Sequence, residues 1–178
     1  YEPRRSAPPV RTNPHMRKVD RAIEFAQGYE DDERRVERNI RAVQPACVWV
    51  NGASGVNLSA DGAVLTNAHV ADNLHAWMKV SFPDGSEYWG QCTAIDHNRD
   101  LAIIKLHNVQ SALPYAPLAS NKPGAGTPVV CIGQPDPSAG YENWHVSVGK
   151  IHENKRTHPW RGLGGVAHTA WTYWGNSG

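Results

Sequence analysis

Three side chains in this sequence have the types that nucleophilic acyl transfer needs. They are His69 in "LTNAHVAD", Asp100 in "DHNRDLAIIKL" and Ser177 in the closing "GNSG". A serine hydroxyl is a weak nucleophile near neutral pH. It needs an imidazole to take its proton and a carboxylate to hold that imidazole in the right tautomer. The three occur in the order His, Asp, Ser, at separations of 31 and 77 residues. Each has a plainer reading on its own: a structural histidine, a turn or cap aspartate, a polar turn. Their joint occurrence within an all-β pattern is what favours chemistry.

The pattern that must position them begins at Ala46. Six β-rich runs, "ACVWV", "GVNLS", "AVLTNA", "AWMKVSF", "SEYWGQCTAI" and "LAIIKLH", alternate with turn residues such as Asn51-Gly52, Asp61-Gly62 and Pro83-Asp84-Gly85. Short strands at near-regular spacing predict a small antiparallel barrel or sandwich. His69 follows one run and is expected at a strand end beside a cleft. Asp100 directly precedes the apolar run "LAIIKL", which should shield its carboxylate. A Pro-, Ala- and Ser-containing connector covers residues 110–126. Strands resume with "TPVVCIG", "ENWHVSVGKI" and "GVAHTAW". Three strands cannot close a barrel, so the second unit is expected to be incomplete.

Ahead of the β region, residues 1–13 read as an extended Pro- and Arg-rich linker. Residues 14–44 read as a helical segment of two short helices. Asn13-Pro14 starts the first, and Val19, Ile23 and Ala26 line one face. Asp31 and Asp32 start the second, with Val36, Ile40 and Val43 on its apolar side. The domain plan is then a first barrel over 45–109 carrying His69 and Asp100, the connector 110–126, and a partial second barrel over 127–178 carrying Ser177.

Composition narrows the classes. The 178 residues suffice for one ordinary domain or two small ones. The formal net charge of +1 gives no support to a nucleic-acid partner. Charge is concentrated in residues 1–43, which hold 10 of the 18 Lys and Arg and 8 of the 17 acids. No apolar run reaches the roughly 18 residues of a membrane-spanning helix. The chain starts at Tyr1 with no charged-then-apolar leader, which reads as a processed chain or a fragment. Cys47, Cys92 and Cys131 lack paired metal spacing and fit buried thiols, or one disulfide and one free thiol. The histidines form no ligand motif, and His152 and His158 read as solvated residues of a polar loop. Asn57-Leu58-Ser59 matches a glycosylation sequon, a short motif that often arises by chance.

The quoted segments together resemble a chymotrypsin-fold serine peptidase of the HtrA/Deg type, from about Ala46 to Gly178. "NLSADGAVLTNAHVADN" is similar to that family's segment around the catalytic histidine. "VSFPDGSEYWGQCTAIDHNRDLAIIKL" resembles the hairpin leading to its aspartate, "GTPVVCIGQPDP" the strand opening its second barrel, and "GNSG" its nucleophile motif. The resemblance implies an all-β, two-barrel fold. It makes His69 the general base, Asp100 its orienter and Ser177 the nucleophile. The backbone N–H groups of Gly175 and Ser177 would form the oxyanion hole, where one donor is typically worth ~3–4 kcal/mol.

The implied activity is hydrolysis of a polypeptide substrate through an acyl-enzyme, with no metal or organic cofactor. The alternative is a non-catalytic peptide- or partner-binding module on the same fold. Trp171 and Tyr173, just before the nucleophile, depart from the family's small or polar residues there. They are candidates either for narrowing the substrate pocket or for packing inward. Strands that follow the nucleophile complete the family's second barrel, so full activity is expected to need residues after Gly178. Similar proteases oligomerise through N-terminal segments, which makes 14–43 a candidate assembly element. They work in cell envelopes, organelles and secreted fluids, and some work inside cells. The envelope or secretion is the favoured setting.

Overall fold

Asn51 and Gly52 both have positive φ, 47° and 88°. That is the conformation a two-residue hairpin turn needs if it is to follow the right-handed twist of its strands. Here it joins β1 (Cys47–Val50) to β2 (Ala53–Asn57), with Val50 opposite Ala53. In the computed structural model the described residues are 33–134, 144–157, 164–172 and 177. The chain divides into two units, Tyr1–Glu37 and Arg38–Gly178, and every described strand belongs to the second.

The six predicted runs become β1, β2, β3 (Ala63–Thr66), β4 (Trp77–Ser81), β5 (Glu87–Asp96) and β6 (Leu101–Leu106). They close into a barrel in the order β1-β2-β3-β6-β5-β4, all neighbours antiparallel, with β4 returning to β1. Period-two alternation decides which side chains fill it. In β6, Ala102, Ile104 and Leu106 are buried while Leu101 is exposed. In β4, Met78 and Val80 are buried between exposed Trp77 and Lys79. Val48, Val50, Val64, Val80, Phe82, Cys92 and Ile104 form the fully buried centre, each 0–1% exposed. Burying a Val, Ile or Phe side chain is worth about 1.5–3 kcal/mol, so this set is the main source of the barrel's stability. The β5–β6 pairing shifts register between Cys92 and Ala94, a bulge that bends β5 around the barrel.

The connector has no regular strand or helix and is fastened along the barrel. Leu113 N–H donates to Ala60 O and Ala116 N–H to Asn57 O, both at 2.9 Å, and the Leu113 side chain joins the core.

The predicted second set becomes β7 (Pro128–Gly133), β8 (His145–Thr157) and β9 (Gly164–His168), an open three-stranded antiparallel sheet. One expectation is corrected. The stretch from His152 reads as a polar loop, but β8 continues through it to Thr157 while pairing with β9. The pairing shifts register between Ile151 and Glu153 and again before Arg156, and a strand so bulged carries no clean alternation for a sequence reading to detect. His152 is exposed, as expected, and His158 lies outside the described residues.

At the other end, residues 33–43 form helix α1, followed by a 3₁₀ turn, Gln44–Ala46. Val36, Ile40 and Val43 are half-buried while the residues between them are exposed, in keeping with the predicted face. The predicted linker and first helix lie outside the described residues. No helix among the described residues is long and apolar enough to cross a membrane.

Candidate active site

The histidine arm is short and tightly bounded. β3 ends at Thr66, and the chain turns through Asn67 into a one-turn helix, α2 (Ala68–Ala71), that carries His69. Ala68, Val70 and Ala71 are buried, so the turn is seated by its apolar residues and His69 faces outward. Its side chain is 50% exposed. Asp72 ends the turn with φ 64° and ψ −66°, at the centre of a tight three-residue turn closed by Asn73 N–H donating to Ala71 O at 2.8 Å.

The aspartate arm approaches from β6. Asp100, one residue before that strand, also adopts a positive φ of 58°. Its carboxylate is 16% exposed and faces the His69 ring. His69 Nδ1 lies 3.0 Å from Oδ1 and 2.9 Å from Oδ2. The His69 backbone N–H also donates to Oδ1 at 3.1 Å. Both ring and backbone of His69 are therefore held by one carboxylate. With Nδ1–H donating to Asp100, the lone pair of the neutral ring falls on Nε2, the tautomer a general base requires. Asn67 completes the arm, its Nδ2–H donating to the Asp100 carbonyl at 2.8 Å. Asn67 is not among the sequence-predicted site residues, because it reads as the polar end of the β-rich run "AVLTNA" and nothing there marks its distant partner. Here it makes no side-chain cap and fastens Asp100 instead.

Ser177 is half-buried, and its carbonyl accepts the backbone N–H of Ser54 in β2 at 2.6 Å. Ser177 is thus fastened to the same barrel that carries the other two residues. Among the described residues, no hydrogen bond joins the Ser177 hydroxyl to the His69 ring. Trp171 is 38% exposed. Its ring meets His145 edge-on, with centroids 5.4 Å apart, and its carbonyl accepts Ser147 Oγ–H at 2.6 Å. Gly175 and Tyr173 lie outside the described residues.

The cysteines are free. Cys47 and Cys92 are buried and Cys131 is half-buried. Burial, with a smaller contribution from the neighbouring Cys131, pushes the Cys47 thiol up to about 11. Burial raises the other two as well. A raised thiol pKa disfavours the thiolate, so none of the three is set up as a nucleophile. Asn57 of the sequon is fully buried, and its Nδ2 donates to Ser59 O and Pro114 O at 2.9 and 2.7 Å. That side chain is a structural clamp on the connector and offers no glycan acceptor.

Residues 53–178 match the family model described as a trypsin-like peptidase domain. Serine protease HTRA1 of Xenopus laevis is 42% identical over 83 residues, covering 46% of this chain and 18% of that protein. The putative serine protease HhoA of Synechocystis sp. is 37% identical over 83 residues, covering 46% and 21% respectively. The chain thus spans about a fifth of the length of these curated relatives. Among solved structures, the crystal structure of Deg5 superposes with a TM-score of 0.66 at 25% identity, over 83% of this chain and 78% of that one. The match over residues 53–178, the closed barrel with its second open sheet, and the HtrA and Deg likenesses agree: this chain belongs to the trypsin-like peptidase domain family, within its HtrA/Deg type.

Proposed function

We propose that this chain is the catalytic region of a serine endopeptidase, with His69 as general base, Asp100 as its orienter and Ser177 as nucleophile. The observation that carries the reading is the double contact of the Asp100 carboxylate with His69 Nδ1, at 3.0 and 2.9 Å. Such a contact fixes the tautomer and stabilises the imidazolium that forms when the serine proton arrives. Family membership supports the same assignment.

In this reading Ser177 Oγ attacks the carbonyl carbon of a substrate peptide bond as its proton passes to His69 Nε2. The tetrahedral oxyanion is held by the backbone N–H groups of Ser177 and Gly175. On collapse, His69 returns the proton to the leaving amine and an acyl-Ser177 ester remains. Water, deprotonated by His69, then hydrolyses the ester. Trp171 borders the substrate pocket, an assignment supported by its exposure and its place six residues before the nucleophile.

A fluorophosphonate probe tests the reading by intact mass. One adduct per chain is expected, abolished in Ser177→Ala and strongly slowed in His69→Ala. No uptake of probe by this folded chain and by one extended beyond Gly178, or a Ser177→Ala chain that labels as fast as the parent, overturns it. Residues 14–43 are the proposed assembly element. Their deletion should lower the mass in solution by light scattering, and an unchanged mass overturns that role.

A further inference from the structure

Ser54 lies on β2, 5% exposed, and its hydrogen bonds reach three separate parts of the fold. Its N–H donates to the Ser177 carbonyl at 2.6 Å. Its own carbonyl accepts the Thr66 hydroxyl at 2.8 Å. Its Oγ accepts the backbone N–H of Gln134, just after β7, at 2.8 Å. Thr66 is 1% exposed and stands three residues before His69. One buried residue therefore fastens the end of the strand that feeds the base, the backbone of the nucleophile and the edge of the second sheet.

The bonds continue beyond Ser54. Gln134 is 3% exposed, and its Oε1 accepts the Trp144 backbone N–H at 3.0 Å. Trp144 Nε1–H then donates to Cys47 O on β1 at 2.8 Å. The chain of bonds leaves the barrel at β2, crosses to the second sheet and returns at β1. A buried polar network with its members paired is rigid, because each broken bond leaves a desolvated group without a partner.

We propose that Ser54 is a positioning residue for Ser177, a role that rests on the reading of Ser177 as nucleophile. Its backbone holds Ser177 in register with the His69 arm. Its hydroxyl keeps the second sheet, from which the Ser177 segment emerges, latched to β2. Without the hydroxyl, the buried Gln134 N–H loses this acceptor and the latch between β2 and the second sheet loosens. The bond between Ser54 N–H and Ser177 O then rests on a less rigid frame. A displacement of the nucleophile by about an ångström costs on the order of 100-fold in rate.

The test compares parent, Ser54→Ala and Ser54→Thr in fluorophosphonate labelling and in peptide turnover. Ser54→Ala should lower the labelling rate and kcat by roughly 10- to 100-fold, with KM within about twofold. The pH midpoint of kcat/KM should stay in place, because His69 and Asp100 keep their contact. Ser54→Thr, which retains the hydroxyl, should recover most of the rate. A folded Ser54→Ala chain that labels at the parent rate overturns the proposal, and so does one whose loss lies wholly in KM.

Amide hydrogen exchange in the parent judges the anchor without reference to activity or to the folding of any variant. Slow exchange at the Ser54 and Gln134 amides supports it, and fast exchange at Ser54 overturns it. If neither the parent nor a chain extended beyond Gly178 ever labels, the peptidase reading falls and the catalytic meaning of the anchor with it. Slow exchange would then leave Ser54 as a structural anchor alone.

Discussion

Asp100 holds His69 twice: Oδ1 takes the backbone N–H at 3.1 Å, while both carboxylate oxygens lie within 3.0 Å of ring Nδ1. The backbone bond fixes where the ring starts from, and the ring contacts fix how it turns. One carboxylate removes most of the freedom of an otherwise half-exposed imidazole.

Asp100→Asn should therefore leave the fold intact and lower kcat by roughly 10⁴-fold, the scale of loss when a triad imidazole is held in the wrong tautomer. The Asn carbonyl can still accept the His69 backbone N–H, but its NH₂ stabilises the tautomer with the proton on Nε2. Turnover and probe labelling measure the effect, with far-ultraviolet circular dichroism as the control for folding. A variant within tenfold of the parent would contradict the role given to Asp100.

Asn57 should carry no glycan when the chain is made in a glycosylating host. Its Nδ2 is committed to two carbonyls and the residue is fully buried. Intact mass before and after glycosidase treatment decides the point, and a mass loss abolished by Ser59→Ala would refute it. Asn57→Ala should cost about 1 kcal/mol in urea unfolding: Ser59 O and exposed Pro114 O lose a donor, while the buried Asn57 Oδ1, which accepts no hydrogen bond among the described residues, is removed with it.

Gly90→Ala should destabilise the barrel by about 1–3 kcal/mol. A Cβ at Gly90 would run into the Ile104 side chain, which is fully buried and cannot swing aside. Ile104→Ala alone creates a cavity, yet the double variant should be less than additive because each change relieves the other. Equilibrium unfolding of the four chains checks this, and strict additivity would argue against the contact.

Stability should fall with rising pH above about 9, partly through Cys47. Burial holds its thiol up to about 11, against an ordinary value of 9.0. Between those values the folded chain keeps a proton that the unfolded chain releases. The contribution is complete below about 9 and is lost as pH rises through 11, at no more than ~1.4 kcal/mol per pH unit. Urea midpoints at pH 8, 9.5 and 10.5 should decline more steeply for the parent than for Cys47→Ala. Equal slopes would exclude the thiol as the cause.

Much of the barrel is written locally. Asn51-Gly52 specifies a tight turn because both positions need positive φ, and strands such as β4 and β6 alternate buried with exposed residues. Those are short-range rules, so six strands and their order along the chain are legible from residue types and spacing. The chemical types and order of His69, Asp100 and Ser177 are legible in the same way.

What local rules cannot encode is which distant groups meet. The sequon at Asn57 is only a three-residue match in sequence, and the bond to Pro114 in the connector is what shows the side chain to be committed. Strand β8 runs on to Thr157 because β9 pairs with it through two register shifts, although its own sequence turns polar. Asn67 is the polar end of a β-rich run, and Ser54 a small residue in a Gly-containing stretch, until Asp100, Ser177, Thr66 and Gln134 arrive to bond with them. The sequence by itself determined the barrel's strands and the kinds of side chain available for catalysis. The tertiary pairing of β3 with β6 decided that Asp100 would reach His69, because a hydrogen bond depends on separation in space and not along the chain.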